Sequence, residues 1–303
     1  MTGHELENGP TVTAIIPTVG RDSLRRAVDS ARAQKGVVVR TVVVLDRPEM
    51  LTDVGKMVSS EVTVITTVGG VGGAASRNLG LELVQSDYVA YLDDDDVWLP
   101  DKLALQIGAM RDSGVRWSLC GANFNRGRTS SVMPYRLPRD TEDILSYALT
   151  RTRLRFGESL LQSSCIVVEA KLACLIRWDD NLPRHQDWDL AQRIEAQAGG
   201  PVFVAWPLVE IHQQHTAATS ISRSGGYEKS INFLIKHAQT TGPIPRADFF
   251  WSVMVRQALG AGDFSVFAWR PDGFFRAHIG SVLLGLSGLI FFVFRRITCR
   301  VKR

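Results

Sequence analysis

Between Val12 and Asp93 short runs of β-branched and apolar residues alternate with stretches of helical periodicity, and this alternation narrows the fold more than any other feature. The segments "VTAIIP" (12–17), "RTVVVLD" (40–46), "EVTVITT" (61–67) and "DYVAYLD" (87–93) read as strands. Between them, "RDSLRRAVDSARAQ" places Leu24, Ala27, Val28 and Ala31 on one helical face, and "GGAASRNLGLELVQ" (72–85) reads as a further helix. Such alternation predicts an α/β domain with a mainly parallel central sheet covered by helices. Ligands of these sheets sit beyond the carboxyl ends of the strands.

A second group of elements follows in "VRWSLCGANF" (115–124), "LLQSSCIVVEA" (160–170), a helix from "QDWDLAQRIEAQAG" (186–199) and a strand in "PLVEIH" (207–212). Beyond Gly225 the pattern turns helical or irregular and ends in the uncharged run Ile279 to Phe294. The expected organisation is a catalytic domain over 1–225, a helical extension over 226–276 and an apolar, basic tail over 277–303. At 303 residues, 45% hydrophobic and 22% charged, the chain has the composition of one large globular domain or two modest ones.

Charge is unevenly spread. Arg295, Arg296, Arg300, Lys302 and Arg303 supply five positive charges, which leaves residues 1–294 one unit negative although the whole chain is at +4. A nucleic-acid-binding body carries a basic face of its own, so no nucleic-acid partner is expected. Cys120, Cys165, Cys174 and Cys299 share no metal-ligand spacing, and the first twenty residues lack a basic region followed by a long apolar one. Both features predict reduced thiols and a cytoplasmic location.

The densest chemistry is "LDDDDVW", in which Asp93, Asp94, Asp95 and Asp96 follow the fourth strand directly. Like charges raise one another's pKa, so something positive must offset them. One reading is an acidic turn ahead of a helix starting near Leu99 or Pro100. The other is a site where alternate carboxylates share a hard divalent cation, held by one or two carboxylates together with substrate phosphates. The second reading implies a nucleotide diphosphate.

The segments "AIIPTVGR", "VVVLD", "GGAASRNLG", "YVAYLDDDDVWLPDKL" and "LPRHQDWDLAQR", in this order, resemble the family 2 glycosyltransferases of GT-A fold over residues 11 to 215. The resemblance implies a nucleotide-diphosphate sugar donor, a Mn²⁺ or Mg²⁺ ion at a D-x-D motif, and a later acid as catalytic base. By position Asp93 and Asp95 match the D-x-D, Asp94 lies between them, Asp96 is the common third acid, and Asp187 matches the base. Thr18, Asp46 and Arg77 fall on donor-contacting positions, together with Asp93 and Asp94. His215, favoured over His212, falls where some relatives complete the metal shell. Departures from the pattern are "LDRPE", with one acid where the family has two, and Val19 and Gly20 in place of an aromatic residue and an asparagine. Asp189, two positions after the base, is expected to be structural, and Trp98 and Trp188, which flank the acids, to pack in the core or else to line the sugar pocket.

The family resemblance also implies an inverting transfer to a glycan or lipid-linked hydroxyl in cell-envelope or extracellular polysaccharide synthesis. Two other classes stay open. Gly70-x-Gly72-x-x-Ala75 approaches a dinucleotide fingerprint and would suggest an NAD-type oxidoreductase, although it stands in the third βα unit rather than the first. A non-catalytic sugar binder is the other. The tail is expected to lie at the cytoplasmic membrane surface, because sixteen uncharged residues fall short of the roughly 20 of a spanning helix and the basic residues after them suit anionic headgroups.

Overall fold

A computed structural model describes residues 9–154, 157–212 and 226–301, with side chains described as far as residue 290. The described residues fall into two compact units. The first comprises Met1–Leu137, Leu160–Asn181 and Gln186–His215, and the second Pro138–Ser159, Leu182–His185 and Thr216–Arg303.

The first unit begins as an alternating α/β chain. It runs β1 (Thr11–Thr18), α1 (Leu24–Arg32), β2 (Val38–Leu45), α2 (Leu51–Met57), β3 (Thr63–Thr66), α3 (Gly73–Leu81) and β4 (Tyr88–Tyr91). Next come β5 (Val97–Trp98), α4 (Lys102–Ser113), β6 (Trp117–Arg126) and β7 (Thr129–Met133). Helix α5 (Ile144–Leu149) belongs to the second unit. The chain returns to the first unit with β8 (Val167–Glu169), α6 (Ala170–Ile176), α7 (Gln186–Ala198) and β9 (Val202–His212).

The strands join in the order β3-β2-β1-β4-β8-β6-β9-β5, with β7 on β6. From β3 to β4 the neighbours are parallel. Beyond β4 the sheet is mixed, because β8 runs antiparallel to both β4 and β6 while β9 runs parallel to β6. The expected parallel sheet is therefore one half of a mixed one. Short β-branched strands mark the parallel half in the sequence, and no such pattern marks the direction in which three-residue β8 enters.

The core follows from the local patterns. In β1, Val12, Ala14, Ile15 and Ile16 are wholly buried, as befits a central strand covered on both faces. Helix α1 buries Leu24, Ala27, Val28 and Ala31, the face its periodicity selects. Helix α3 approaches β1 so closely that a Cβ at Gly80 would stand 2.6 Å from Ile15 Cγ2 and 3.3 Å from Val44 Cγ2. Alanine is the better helix former by about 1 kcal/mol. Forcing a methyl into a packed core costs about 1–3 kcal/mol, and both neighbours are branched side chains of buried strands with little room to yield. Gly80→Ala should thus be net destabilising and lower the thermal midpoint, and a raised midpoint would refute this account of the helix–sheet contact.

The second unit is helical. Besides α5 it contains α8 (Glu228–Lys236), α9 (Pro243–Phe249), a π-helical turn over Phe250–Val255, α10 (Arg256–Ala261) and α11 (Ile279–Val301). Among the described residues no helix is long and apolar enough to cross a membrane. Cys120 and Cys165 are buried and Cys174 is exposed, all as free thiols.

Candidate active site

The aspartate run forms a tight turn after β4, closed by the Asp96 amide donating to the Asp93 carbonyl at 3.1 Å. The turn sends its carboxylates to different partners, which is how four acids coexist there. Asp93 Oδ1 accepts from Arg77 at 2.5 Å and from the Ser163 hydroxyl at 3.0 Å. Asp94 is buried, and accepts from Thr18 Oγ1 and Arg21 Nη1, each at 2.6 Å. Asp96, also buried, accepts from Ser164 Oγ at 2.7 Å and from the His212 amide at 3.3 Å. Asp95 keeps 30% of its side chain exposed and stands 3.8 Å from Arg21.

These environments set the proton affinities. Burial raises Asp94, against the opposing pull of Thr18 and Arg21. Asp96 is held well above the usual carboxylate range by burial, with Asp93 and Asp95 adding to the effect. Burial and then the charges of Asp93 and Asp94 push Asp95 up to about 6.

Arg77, on α3, is buried beneath the turn. Its guanidinium carbon lies 4.6 Å from the centroid of the Trp178 ring, a stacking geometry that favours a desolvated cation. Tyr91 meets the same tryptophan edge to face at 4.9 Å. Asn78 fixes Trp178 from both sides, its Nδ2 donating to the Trp178 carbonyl at 2.9 Å and its Oδ1 accepting from the Trp178 amide at 2.8 Å. Arg77 Nε is buried without a hydrogen-bond partner.

Asp187 stands in the first turn of α7. Two contacts hold this end of the helix in place. Trp188 Nε1 donates to the Leu161 carbonyl at 3.1 Å, and the fully buried Asp189 accepts from Arg193 Nε at 2.8 Å. Asp189 is thus structural, as its position two residues after Asp187 suggests. A helix N-terminus ordinarily favours an ionised acid, and the Trp188 amide donates to Asp187 at 3.0 Å. Burial outweighs both effects. It raises Asp187 to about 7, with the charge of Asp93 reinforcing the rise and that of Arg77 opposing it. Asp187 therefore lies within electrostatic reach of the aspartate turn.

Asp46, just past β2, is engaged by the glycine-rich loop. Its Oδ1 accepts from Thr67 Oγ1 at 2.5 Å and from the Val71 amide at 2.9 Å, and its Oδ2 accepts from the Gly72 amide at 2.8 Å. The amides that a dinucleotide fingerprint would aim at a pyrophosphate thus hold a carboxylate of the same chain.

Of the residues selected from the sequence, Thr18, Arg77, Asp93, Asp94 and Asp95 gather around one turn, with Asp187 electrostatically coupled to it. Asp46 sits on the neighbouring loop. His215 lies outside the described residues. His212 contributes its backbone to Asp96, while its imidazole stands 3.6 Å from Glu210. Trp98 is core, donating to the Ser164 carbonyl at 2.9 Å. Sequence reasoning missed Ser163, Ser164 and Trp178. Arg21 stood inside a quoted motif without an assigned partner. Among the described residues no three His, Cys, Asp or Glu side chains are arranged to hold an ion by themselves. Asp93 and Asp95 do offer the hard oxygen donors that suit a cation completed by substrate phosphates.

The chain is similar to known proteins in sequence and in fold. The profile described as Glycosyl transferase family 2 matches residues 13–171, more than half of the chain. Amylovoran biosynthesis glycosyltransferase AmsB of Erwinia amylovora is 28% identical over 214 residues, covering 66% of this chain and 69% of its own. Succinoglycan biosynthesis protein ExoW of Rhizobium meliloti is 31% identical over 189 residues, covering 56% and 59%. Among solved structures, S. aureus TarS in complex with UDP-GlcNAc superposes with a TM-score of 0.61 at 12% identity, over 83% of this chain and 76% of that one. The mannosyltransferase PcManGT from Pyrobaculum calidifontis, in complex with GDP-Man and Mn²⁺, superposes with a TM-score of 0.54 at 16% identity, over 95% and 87%. A mixed sheet whose parallel half ends in an aspartate turn, together with the profile match, places the chain in glycosyl transferase family 2, and it is a glycosyltransferase.

Proposed function

We propose that this glycosyltransferase moves a sugar from a nucleotide-diphosphate donor to a hydroxyl of a cell-envelope or extracellular polysaccharide precursor, with inversion at the anomeric carbon. The observation that carries the reading is the Asp93–Asp96 turn at the carboxyl end of the parallel strands with Arg77 bonded to Asp93, together with Asp187, which burial raises to about 7. Relatives named for amylovoran and succinoglycan biosynthesis support the polysaccharide class. Structures of similar fold in complex with UDP-GlcNAc, or with GDP-Man and Mn²⁺, support the donor class.

In this reading Asp187 takes the proton of the acceptor hydroxyl as it attacks, a task suited to a carboxyl whose pKa lies near working pH. Thr18 and Asp94 line the nucleotide side, with Asp46 shaping the adjoining loop. Arg77, braced by Trp178 and Asn78, meets the negative charge of the donor. Asp93 and Asp95, with His215 as a further ligand, would hold a Mn²⁺ or Mg²⁺ ion, which when bound neutralises the leaving diphosphate. Family membership and the pairing of the Val71 and Gly72 amides with Asp46 set aside the dinucleotide reading. The C-terminal region lies at the cytoplasmic face of a membrane, within reach of lipid-linked acceptors.

The test is a panel of UDP-, GDP- and dTDP-sugars offered to the purified protein with Mn²⁺ or Mg²⁺, scoring nucleotide release with and without a polyprenyl-diphosphate glycan acceptor. Acceptor-dependent release from one donor class is expected. No release from any donor under either metal would overturn the donor assignment.

A further inference from the structure

Helix α11 is inverted in polarity relative to an ordinary surface helix. Among its described side chains, the exposed positions are Ile279, Leu283, Leu286 and Ile290, spaced so that all four fall on one narrow stripe of an α-helix. Its buried positions are small: Gly280, Ser281, Gly285 and Gly288. A Cβ at Gly285 would stand 2.6 Å from the Trp251 carbonyl oxygen, and one at Gly280 2.8 Å from the Arg153 backbone. A side chain at Gly288 would collide with the Arg256 carbonyl oxygen. The Ser281 hydroxyl donates to the Arg151 carbonyl at 2.9 Å. Small residues facing protein and large apolar ones facing outward are the arrangement of helices packed in lipid, whereas a helix in water reverses it.

The approach to this helix adds to the surface. Phe275 is 95% exposed, and its ring is propped on Phe274 at 4.9 Å, which in turn packs on Trp251 at 5.0 Å. A projecting phenylalanine suits the apolar face that an interfacial helix buries at the headgroup–acyl boundary. Downstream, the same helix continues to Val301, and five basic residues lie between Arg295 and Arg303.

We infer that the outward stripe of α11, with Phe275, is a bilayer-docking face that lies in the membrane plane, its apolar residues in the acyl boundary and the following basic residues among anionic headgroups. The charge selects this occupant over a second copy of the chain, because a paired copy brings five more positive charges and an anionic bilayer neutralises those present. The inference rests on the membrane reading above, and not on the transfer reading. Helix α11 belongs to the second unit and closes over Trp251 through Gly285, so the test uses the full chain.

The experiment is flotation of the purified full chain with vesicles of phosphatidylcholine alone and of phosphatidylcholine mixed with phosphatidylglycerol. The wild type should float with the anionic vesicles and less with the neutral ones. Ile279→Glu and Ile290→Glu should each reduce vesicle-bound protein by about 10-fold, with circular dichroism and thermal midpoint unchanged because these are the most exposed positions of the stripe, at 69% and 58%. If the wild type floats and both variants float equally well, this face is wrong while membrane attachment stands. If the wild type floats with neither vesicle, the membrane reading falls too. A lipid-free dimer that either variant converts to monomer would assign the face to a second copy and overturn the proposal.

Discussion

Asp187→Asn should lower sugar transfer by about 10²- to 10⁴-fold, the range typical of losing a general base, while donor affinity measured by calorimetry is retained. Asparagine keeps the size and the Trp188 contact at the head of α7 but has no basic form near neutrality. The wild-type enzyme should also show kcat/KM rising with pH through a value near 7, since burial raises Asp187 to about 7 and the base must be ionised to act. The charged groups that face it pull in opposite directions, Asp93 upward and Arg77 downward. Arg77→Gln should therefore move the inflection to higher pH. A collapse of donor affinity in Asp187→Asn would instead make Asp187 a donor ligand, and a pH profile flat across neutrality would remove its role as base.

Asp95→Ala should abolish metal-dependent donor binding and transfer, yet leave the unliganded protein as stable as before or more so. The two halves of this expectation have one cause. Burial and the charges of Asp93 and Asp94 raise Asp95 from 3.8 to about 6, so across that interval the folded protein holds more protons than the unfolded chain. Stability contributed by the protonated group is present below 3.8 and lost as pH rises through about 6. At neutral pH the ionised carboxylate is thus a strain on the fold. Asp93→Ala removes the partner of Arg77 as well and should lower stability besides activity. Undiminished turnover of the wild type in EDTA would exclude the metal role for both residues.

The parts of this site legible in the sequence are those that short-range patterns encode. The Asp93–Asp96 run is visible because it follows a strand directly; helical spacing of Leu190 and Ile194 shows the helix that Asp187 opens, and the family resemblance singles out Asp187 on it. Thr18, at the end of β1, and Arg77, in α3, are singled out by the family resemblance of their segments. Ser163, Ser164 and Trp178 are not. A serine or a tryptophan in an irregular segment carries no distinguishing pattern, and the bonds that matter join residues far apart in the chain, such as Asn78 to Trp178, 100 positions away. Asp46 was legible as an acid at a strand end. That its carboxylate is held by the Val71 and Gly72 amides depends on the fold of the following loop.

The sequence by itself determined the α/β alternation, the parallel half of the sheet and the position of the acidic turn at the mouth of that half, because hydrophobic periodicity and strand length are local properties. Tertiary structure alone decided that the sheet continues as a mixed one through β8, and which cation or hydroxyl answers each aspartate. It also decided which face of α11 is turned outward. Each of these depends on which distant segments meet, and a partner's distance along the chain leaves no mark on the local spacing of residues. Apolar composition marked α11 as unusual, but only its packing through Gly280, Gly285 and Gly288 shows that the large side chains are the ones left outside.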